Sequence, residues 1–248
     1  MKRILTIILI VLLVPTFAFA GLAFEKSTDT LYVNGQSIQA DLYKVADTNY
    51  IPLRKAVEAL GLNVGYDNGK ISIENKVDTD KLKEACVMVY VSKDGKDIGQ
   101  GSGVLIGYDQ ILTCNHVVKP GDKYRVIYKD GSTADCSLVK TNIDTDAAIL
   151  KPQKTNVKPV KLGDADEVKK GDKVYLISSP MQNFNVVTEG ITDYVINEYW
   201  TIKGKSSPGS SGGAVFNSTS ELIGIAVAGN NDSYDIIPIN MVRKGLVN

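Results

Sequence analysis

The segment Pro208-Gly209-Ser210-Ser211-Gly212-Gly213-Ala214-Val215 sets paired serines among three glycines, directly ahead of an apolar run. Glycine inside structure costs about 0.5–1 kcal/mol relative to alanine, so a cluster marks unusual backbone geometry or a close approach. A tight loop presenting one serine hydroxyl, with backbone N–H groups turned toward it, fits that cost. A serine hydroxyl attacks well only when a neighbouring base takes its proton. The chain holds a single histidine, His116, which follows Ile111-Leu112-Thr113-Cys114-Asn115. A lone histidine is more often structural than chemical. The glycine-bordered serine in the same chain reverses that expectation. The carboxylate that orients such a base is expected beside an apolar strand, where it can be buried against the imidazole. Thr145-Asp146-Ala147-Ala148-Ile149-Leu150 supplies Asp146, with Asp144, in the polar loop ahead of it, as the rival.

The elements around these residues read as strands. Val87–Val91, 98–106, Ile111–Thr113, Tyr124–Tyr128, Thr133–Val139 and Ala147–Leu150 give six apolar or alternating runs, separated by turns such as Asp94-Gly95 and Asp130-Gly131. After a Gly/Lys-rich connection, 174–177, 185–191, 194–202, 214–216, 222–228 and 235–239 give six more. Many short strands at this spacing indicate a sandwich or barrel. Two sets of six suggest two antiparallel barrels with a cleft between them, so the fold class is mainly β. Chain order excludes one alternative. Gly209-x-Ser211-x-Gly213 also satisfies the nucleophile elbow of α/β-hydrolases, but that fold requires a helix after the serine and a histidine beyond it. Here a strand follows the serine, and the one histidine precedes it.

Lys2 and Arg3, the apolar run Ile4–Val14 and Ala18-Phe19-Ala20 fit a leader over 1–20 cut after Ala20. A retained anchor is the alternative, since the uncharged run through Phe24 approaches the ~20 residues that span a bilayer. Either way the bulk of the chain is expected outside the cytoplasm, secreted or envelope-associated. The 28 basic and 28 acidic side chains give no net charge, which argues against a general nucleic-acid binder. Cys86, Cys114 and Cys136 cannot all pair with one another, and one histidine leaves no zinc-ligand spacing. They are expected as small buried hydrophobes, with neither metal nor cofactor required.

Residues 25–76 form a smaller unit, followed by a polar join over 77–84. Leu31-Tyr32-Val33 leads into the hairpin signal Asn34-Gly35, then Ile38, Ala40 and Leu42 alternate. Pro52 opens a helix over 53–60, with Val57 and Leu60 on the face of Leu53 and Gly61 as its stop. Val64 and Tyr66, the turn Asp67-Asn68-Gly69, and Ile71 and Ile73 complete a ββαββ pattern. Tyr50-Ile51-Pro52-Leu53-Arg54, Glu58-Ala59-Leu60-Gly61 and Tyr66-Asp67 resemble the core of the small domain named after the N-terminus of copper amine oxidases. That resemblance implies an envelope-associated accessory module. It implies no copper, because the segment lacks histidine, cysteine and methionine. A spacer or folding aid is the plainer alternative.

His116, Asp146 and Ser211, in that order, resemble the trypsin/chymotrypsin-fold serine peptidases, and most closely the bacterial high-temperature-requirement branch. The likeness runs through 85–248 in Gly101-Ser102-Gly103-Val104, Leu112–Val118, Thr145–Ala148, Leu162-Gly163-Asp164, Gly171-Asp172, Ser179-Pro180, Thr188–Ile191 and Pro208–Gly213. It departs in two places: no PDZ-like segment follows, and the disulfide found beside the histidine of animal members has no counterpart. The resemblance implies an endopeptidase acting through an acyl-enzyme. Ser211 would attack, His116 would relay its proton, and Asp146 would hold the imidazole. The N–H groups of Gly209 and Ser211 would form the oxyanion hole. Ser210, in the variable position of the motif, is the rejected nucleophile. An extended protein or peptide substrate would pair with Ile225, Ala226 and Val227. The pocket walls are expected near 203–207 and 226–230, where the first segment lacks aspartate, so a small or medium apolar side chain is favoured over Arg or Lys. The competing function is a binding module on the same fold, with latent or lost activity.

Overall fold

A computed structural model describes residues 25–246 apart from 34, 35, 39, 46, 47, 68, 197 and 198. The expected leader and anchor lie outside the described residues, and no described helix is long and apolar enough to cross a membrane. The chain divides into two compact units, 1–74 and 75–248.

In the first unit, β1 (Glu25–Lys26), β4 (Tyr43–Val45) and β5 (Thr48–Tyr50) form one small sheet. β2 (Leu31–Val33) pairs with β3 (Gln36–Ile38), and β6 (Leu62–Asp67) with β7 (Lys70–Asn75). Helix α1 (Leu53–Ala59) separates them. The ββαββ expectation is therefore corrected. The run through Ala40 and Leu42 leaves the ladder after Ile38, and a second hairpin, β4–β5, precedes the helix. The Asn34-Gly35 and Asn68 turn positions fall outside the described residues. Val57 is buried, whereas Leu60, expected on the same face, is exposed because the helix ends one residue earlier. Gly61 stops it at φ +74°, a left-handed conformation glycine adopts without strain.

The second unit opens on a short helix, α2 (Thr79–Leu82), capped by the Asp78 side chain on the Lys81 N–H. Two closed six-stranded antiparallel barrels follow. The first is β8 (Cys86–Lys93), β9 (Lys96–Gly107), β10 (Gln110–Cys114), β11 (Lys123–Ile127), β12 (Thr133–Asn142) and β13 (Ala147–Pro152). The second is β14 (Lys173–Ser178), β15 (Val186–Ile196), β16 (Tyr199–Lys203), β17 (Ala214–Phe216), β18 (Leu222–Gly229) and β19 (Ser233–Pro238). This is the mainly β pair of barrels that the strand count predicts and the chymotrypsin-like class that the resemblance implies. The run 194–202 is two strands rather than one, β15 and β16 paired antiparallel on either side of 197–198. Asn185 is no strand residue either; it sits at φ +46°, its side-chain amide donated to the carbonyls of Lys83 and Cys86. Helix α4 (Ile239–Leu246) follows β19, and the strand count does not anticipate it.

Period-2 alternation explains why the second barrel's strands read as nearly continuous apolar runs. Along β14, Val174 and Leu176 point into the barrel with Ile202, Val215, Ile223, Tyr234 and Ile236. Tyr175 and Ile177 point the other way, into a larger core shared with Val87, Val89, Leu112 and Leu150 of the first barrel. Both faces of the strand are buried, so both sets of positions are apolar. Burying each such side chain contributes about 1.5–3 kcal/mol. The three cysteines are free thiols, Cys86 and Cys114 buried and Cys136 half-buried.

Candidate active site

His116 and Asp146 come from the first barrel. β10 ends at Cys114 and runs directly into the single helical turn α3 (Asn115–Val118), which buries Val117 and Val118 and leaves the His116 side chain 47% exposed. Asp146 sits immediately before β13, whose Ala147 and Ala148 pair with Cys114 and Thr113 of β10. That pairing brings the two residues together. One carboxylate oxygen accepts the His116 backbone N–H at 2.8 Å, and the other meets Nδ1 at 2.6 Å. The Asp146 carbonyl accepts the Asn115 N–H at 2.8 Å. Asp146 itself is at φ +50°, a left-handed position that Asp tolerates better than most residues. A carboxylate on Nδ1 fixes the proton there and leaves Nε2 as the basic nitrogen.

Cys114 lies behind this pair, its Sγ within 4.8 Å of the His116 and Asp146 ligand atoms. Burial, and secondarily the Asp146 charge, hold its thiol well above the ordinary range. It keeps its proton and donates to the Ala226 carbonyl at 3.2 Å. Both Asp146 oxygens are engaged by His116 and the Cys114 thiol by Ala226.

The serine loop comes from the second barrel and leans on the first. Ser207–Ser210 forms a turn closed by Ser210 N–H to Ser207 O at 2.9 Å, with Pro208 second and Gly209 third at φ +93°. Pro at the second place and positive φ at the third define a type II turn. The Pro208 carbonyl accepts the Met181 N–H at 2.8 Å. Across a trans peptide the N–H opposes the carbonyl, so the Gly209 N–H faces the other way. Among the described residues neither the Gly209 nor the Ser211 N–H has an acceptor. A side chain at 209 would collide with Gln100 Oε1 and come within 2.9 Å of the Ser179 carbonyl.

Ser102, buried on β9, is the main tie between the loop and the first barrel. Its N–H donates to Ser211 O, its hydroxyl donates to Gly209 O, and its Oγ accepts the Ser179 N–H, each at 2.8 Å. Thr113 donates to the Ser102 carbonyl at 2.7 Å, and the Gln100 amide holds Ser179 O at 2.8 Å. Chemical reasoning on the sequence misses these residues because their role is to place backbone, not to react. The only signal was the Gly101-Ser102-Gly103 motif itself. Gly101 marks how near the two loops come. A Cβ there would lie 2.7 Å from Val117 and 3.1 Å from Ser211 O.

Ser210 is buried and takes up Ser178 and the Ser207 N–H, while Ser211 is half-buried. The Ser211 hydroxyl donates to the Val227 carbonyl at 2.8 Å. Among the described residues no hydrogen bond joins it to His116. Val227 is the extra residue of a β-bulge, where the β18–β19 register shifts between Ala226 and Ala228, so the ladder leaves its carbonyl free. Of the three residues expected to meet a substrate, Ile225 is fully buried. Ala226 spends its N–H on Gly213 O and its carbonyl on the Gly212 N–H and Cys114. Only Val227 has reach outward, and exposure continues through Ala228 and Gly229. Beside Ser211 a cavity of about 250 Å³ is lined by Ser206, Ser207, Pro208, Ala226, Val227 and Gly229, among others, with no charged side chain.

Two closed antiparallel barrels, with this cleft between a His–Asp pair and a glycine-bordered serine, are the chymotrypsin-like architecture. The trypsin-like peptidase domain model matches residues 101–225, half of the chain, and the protein belongs to that family. A probable periplasmic serine endoprotease, DegP-like, of Pseudomonas putida (strain W619) is 37% identical over 144 residues, covering 50% of this chain and 28% of that one. The protein of that description from Brucella suis biovar 1 (strain 1330) is 33% identical over 144 residues, covering 54% of this chain and 28% of the relative. The chain thus spans under a third of the length of these curated relatives. The crystal structure of the serine endoprotease from Yersinia pestis superposes with a TM-score of 0.62 at 26% identity, over 69% of this chain and 66% of that one.

Proposed function

We propose that this protein is an exported serine endopeptidase in which Ser211 is the nucleophile, His116 its base and Asp146 the residue that orients the base. The observation that carries the reading is the double grip of Asp146 on His116, through the backbone N–H and Nδ1 together. With Nδ1 taken by Asp146, Nε2 is the nitrogen left to accept the serine proton. The free N–H groups of Gly209 and Ser211 receive the negative oxygen of the tetrahedral intermediate. Ser211 first gives up its bond to Val227. An extended peptide adding to the Val227–Gly229 edge brings an amide N–H that competes for the same carbonyl. Substrate binding then releases the Ser211 hydroxyl to His116. The periplasmic relatives, together with the charged and apolar pattern of 1–20, support export. Residues 25–76 serve as an accessory module, akin to the copper amine oxidase N-terminal domain, toward an envelope ligand.

The orientation of Ser211 also favours a second reading, a latent form acting as a binding module. A fluorophosphonate probe on residues 21–248, with unfolded casein as substrate, separates the two. Labelling and cleavage lost in Ser211→Ala are expected. A folded wild type that neither labels nor cleaves, alone or with added peptide, establishes the latent reading.

A further inference from the structure

We infer that Asn185 is a positioning residue for the oxyanion turn, tying that turn to the segment through which the chain enters the second unit. The inference rests on Ser211 being the nucleophile. Asn185 is 5% exposed, and its side-chain amide donates to two backbone carbonyls, Lys83 and Cys86, each at 3.0 Å. Lys83 begins the short helical turn Lys83–Ala85 that leads out of α2, and Cys86 begins β8. The Asn185 N–H donates to the Ser179 Oγ at 3.2 Å. Ser179 and Asn185 thus pin the two ends of one loop, Ser179 on Ser102 and Gln100, Asn185 on 83–86. Between them lies Met181, whose N–H holds the Pro208 carbonyl and so sets the direction of the Gly209 N–H.

Asparagine stands at this position against two penalties. Its backbone is held at φ +46°, which glycine adopts more readily. Its Oδ1 is buried with no hydrogen-bond partner among the described residues, where a buried oxygen ordinarily has one. Glycine would relieve both, so what asparagine adds is the pair of amide donors. Met181 and Gln182 also hold positive φ. A loop with three such residues keeps its shape only while its surroundings hold it there. Released at the Asn185 end, the Met181 N–H no longer fixes the Pro208–Gly209 peptide. Type II and type I turns differ chiefly in the direction of that central peptide. In the second form the Gly209 N–H is reversed and one oxyanion donor is lost.

The test is Asn185→Gly, which keeps the left-handed backbone and removes both donors. On a peptide p-nitroanilide, kcat should fall by about 10–10²-fold, short of the 10²–10³ that an outright lost donor costs, with KM within about twofold. Added to Gly209→Ala, the same substitution should lower kcat by less than about twofold further, because the donor it positions is already lost. Hydrogen exchange read by NMR in Ser211→Ala follows the turn apart from turnover. There the Met181 amide should exchange at least about tenfold faster once Asn185→Gly is added. Asn185→Ser, with one donor on a shorter arm, should fall between, and it carries the same readouts should the glycine variant not fold. Turnover absent from wild type, or surviving Ser211→Ala, overturns the nucleophile assignment alone, and the Met181 amide then decides whether Asn185 ties the turn. Losses of kcat that multiply in the double variant, or unaltered Met181 exchange in a folded Asn185→Gly or Asn185→Ser protein, overturn the role of Asn185.

Discussion

The two barrels contribute to the cleft in different ways. The first builds its part from neighbours: His116 and Asp146 sit at the ends of two paired strands, and every polar group of Asp146 is engaged within that barrel. The second presents a loop whose shape is borrowed. The Gly209 peptide is set by Met181, and the loop carbonyls by Ser102 from across the cleft. His116 is therefore prearranged by its own barrel, while Ser211 and the Gly209 and Ser211 N–H groups depend on how the barrels meet. Met181 and Gln182, in the turn that supports the loop, both hold positive φ without being glycine, conformations that cost about 1–3 kcal/mol each when imposed.

Breaking each half separately sharpens the contrast. Asp146→Asn should have the largest effect, a fall of about 10⁴ in kcat, because the amide no longer fixes the proton on Nδ1. The stability of the fold should change little, and kcat for a nitroanilide substrate is the measurement; a loss under tenfold would remove Asp146 from the reaction. Gly209→Ala comes next. A methyl there meets Gln100 and the Ser179 carbonyl at a φ that alanine resists, so the turn reorients and one oxyanion donor is lost. The expected fall is about 10²–10³ in kcat with KM nearly unchanged. An equal rise in KM would place the damage in substrate binding instead.

The smallest effect lies away from the cleft. Asp193 bonds Lys170 at 2.9 Å and Lys203 at 3.0 Å, and these ammonium groups, Lys170 foremost, hold its carboxyl below the ordinary range. A depressed carboxyl adds stability above its unfolded value, near pH 4, and loses it as pH falls through the lower folded value. The urea midpoint of Asp193→Asn should sit slightly below wild type at pH 7, and the gap should close as the pH falls through the lowered folded value. A gap that persists in acid would assign the difference to packing.

Much of this was legible in the order of residues. One histidine, one aspartate before an alanine-rich strand and one glycine-bordered serine admit few folds, and the strand count gave both barrels. What escaped depends on register and direction. The division of 194–202 into β15 and β16 turns on 197–198, where neighbouring apolar residues continue the run on either side. Helix α4 follows Ile236-Ile237-Pro238 without a break in hydrophobicity. In the first unit, Tyr43-Lys44-Val45 and Thr48-Asn49-Tyr50 are too short to signal a hairpin by alternation. Ser102 is an ordinary residue in sequence, and its importance comes from Ser179 and Gly209, more than seventy positions away. Nothing local could show that the Ser211 hydroxyl rests on Val227.

The bulge at Val227 also sets a rule of parity. A strand of even repeat alternates inward and outward residues, and one surplus residue exchanges the two sets from that point on. Ile225 and Ala226 serve the barrel, whereas Val227 to Gly229 serve the cleft. Deleting one residue between 226 and 229 would exchange those duties along the whole edge. Lengthening the turn at 230–232 would instead part the Asn230 and Asp232 carbonyls from the Ser206 and Gly204 N–H groups they accept, so the segment tolerates a change of length at neither end.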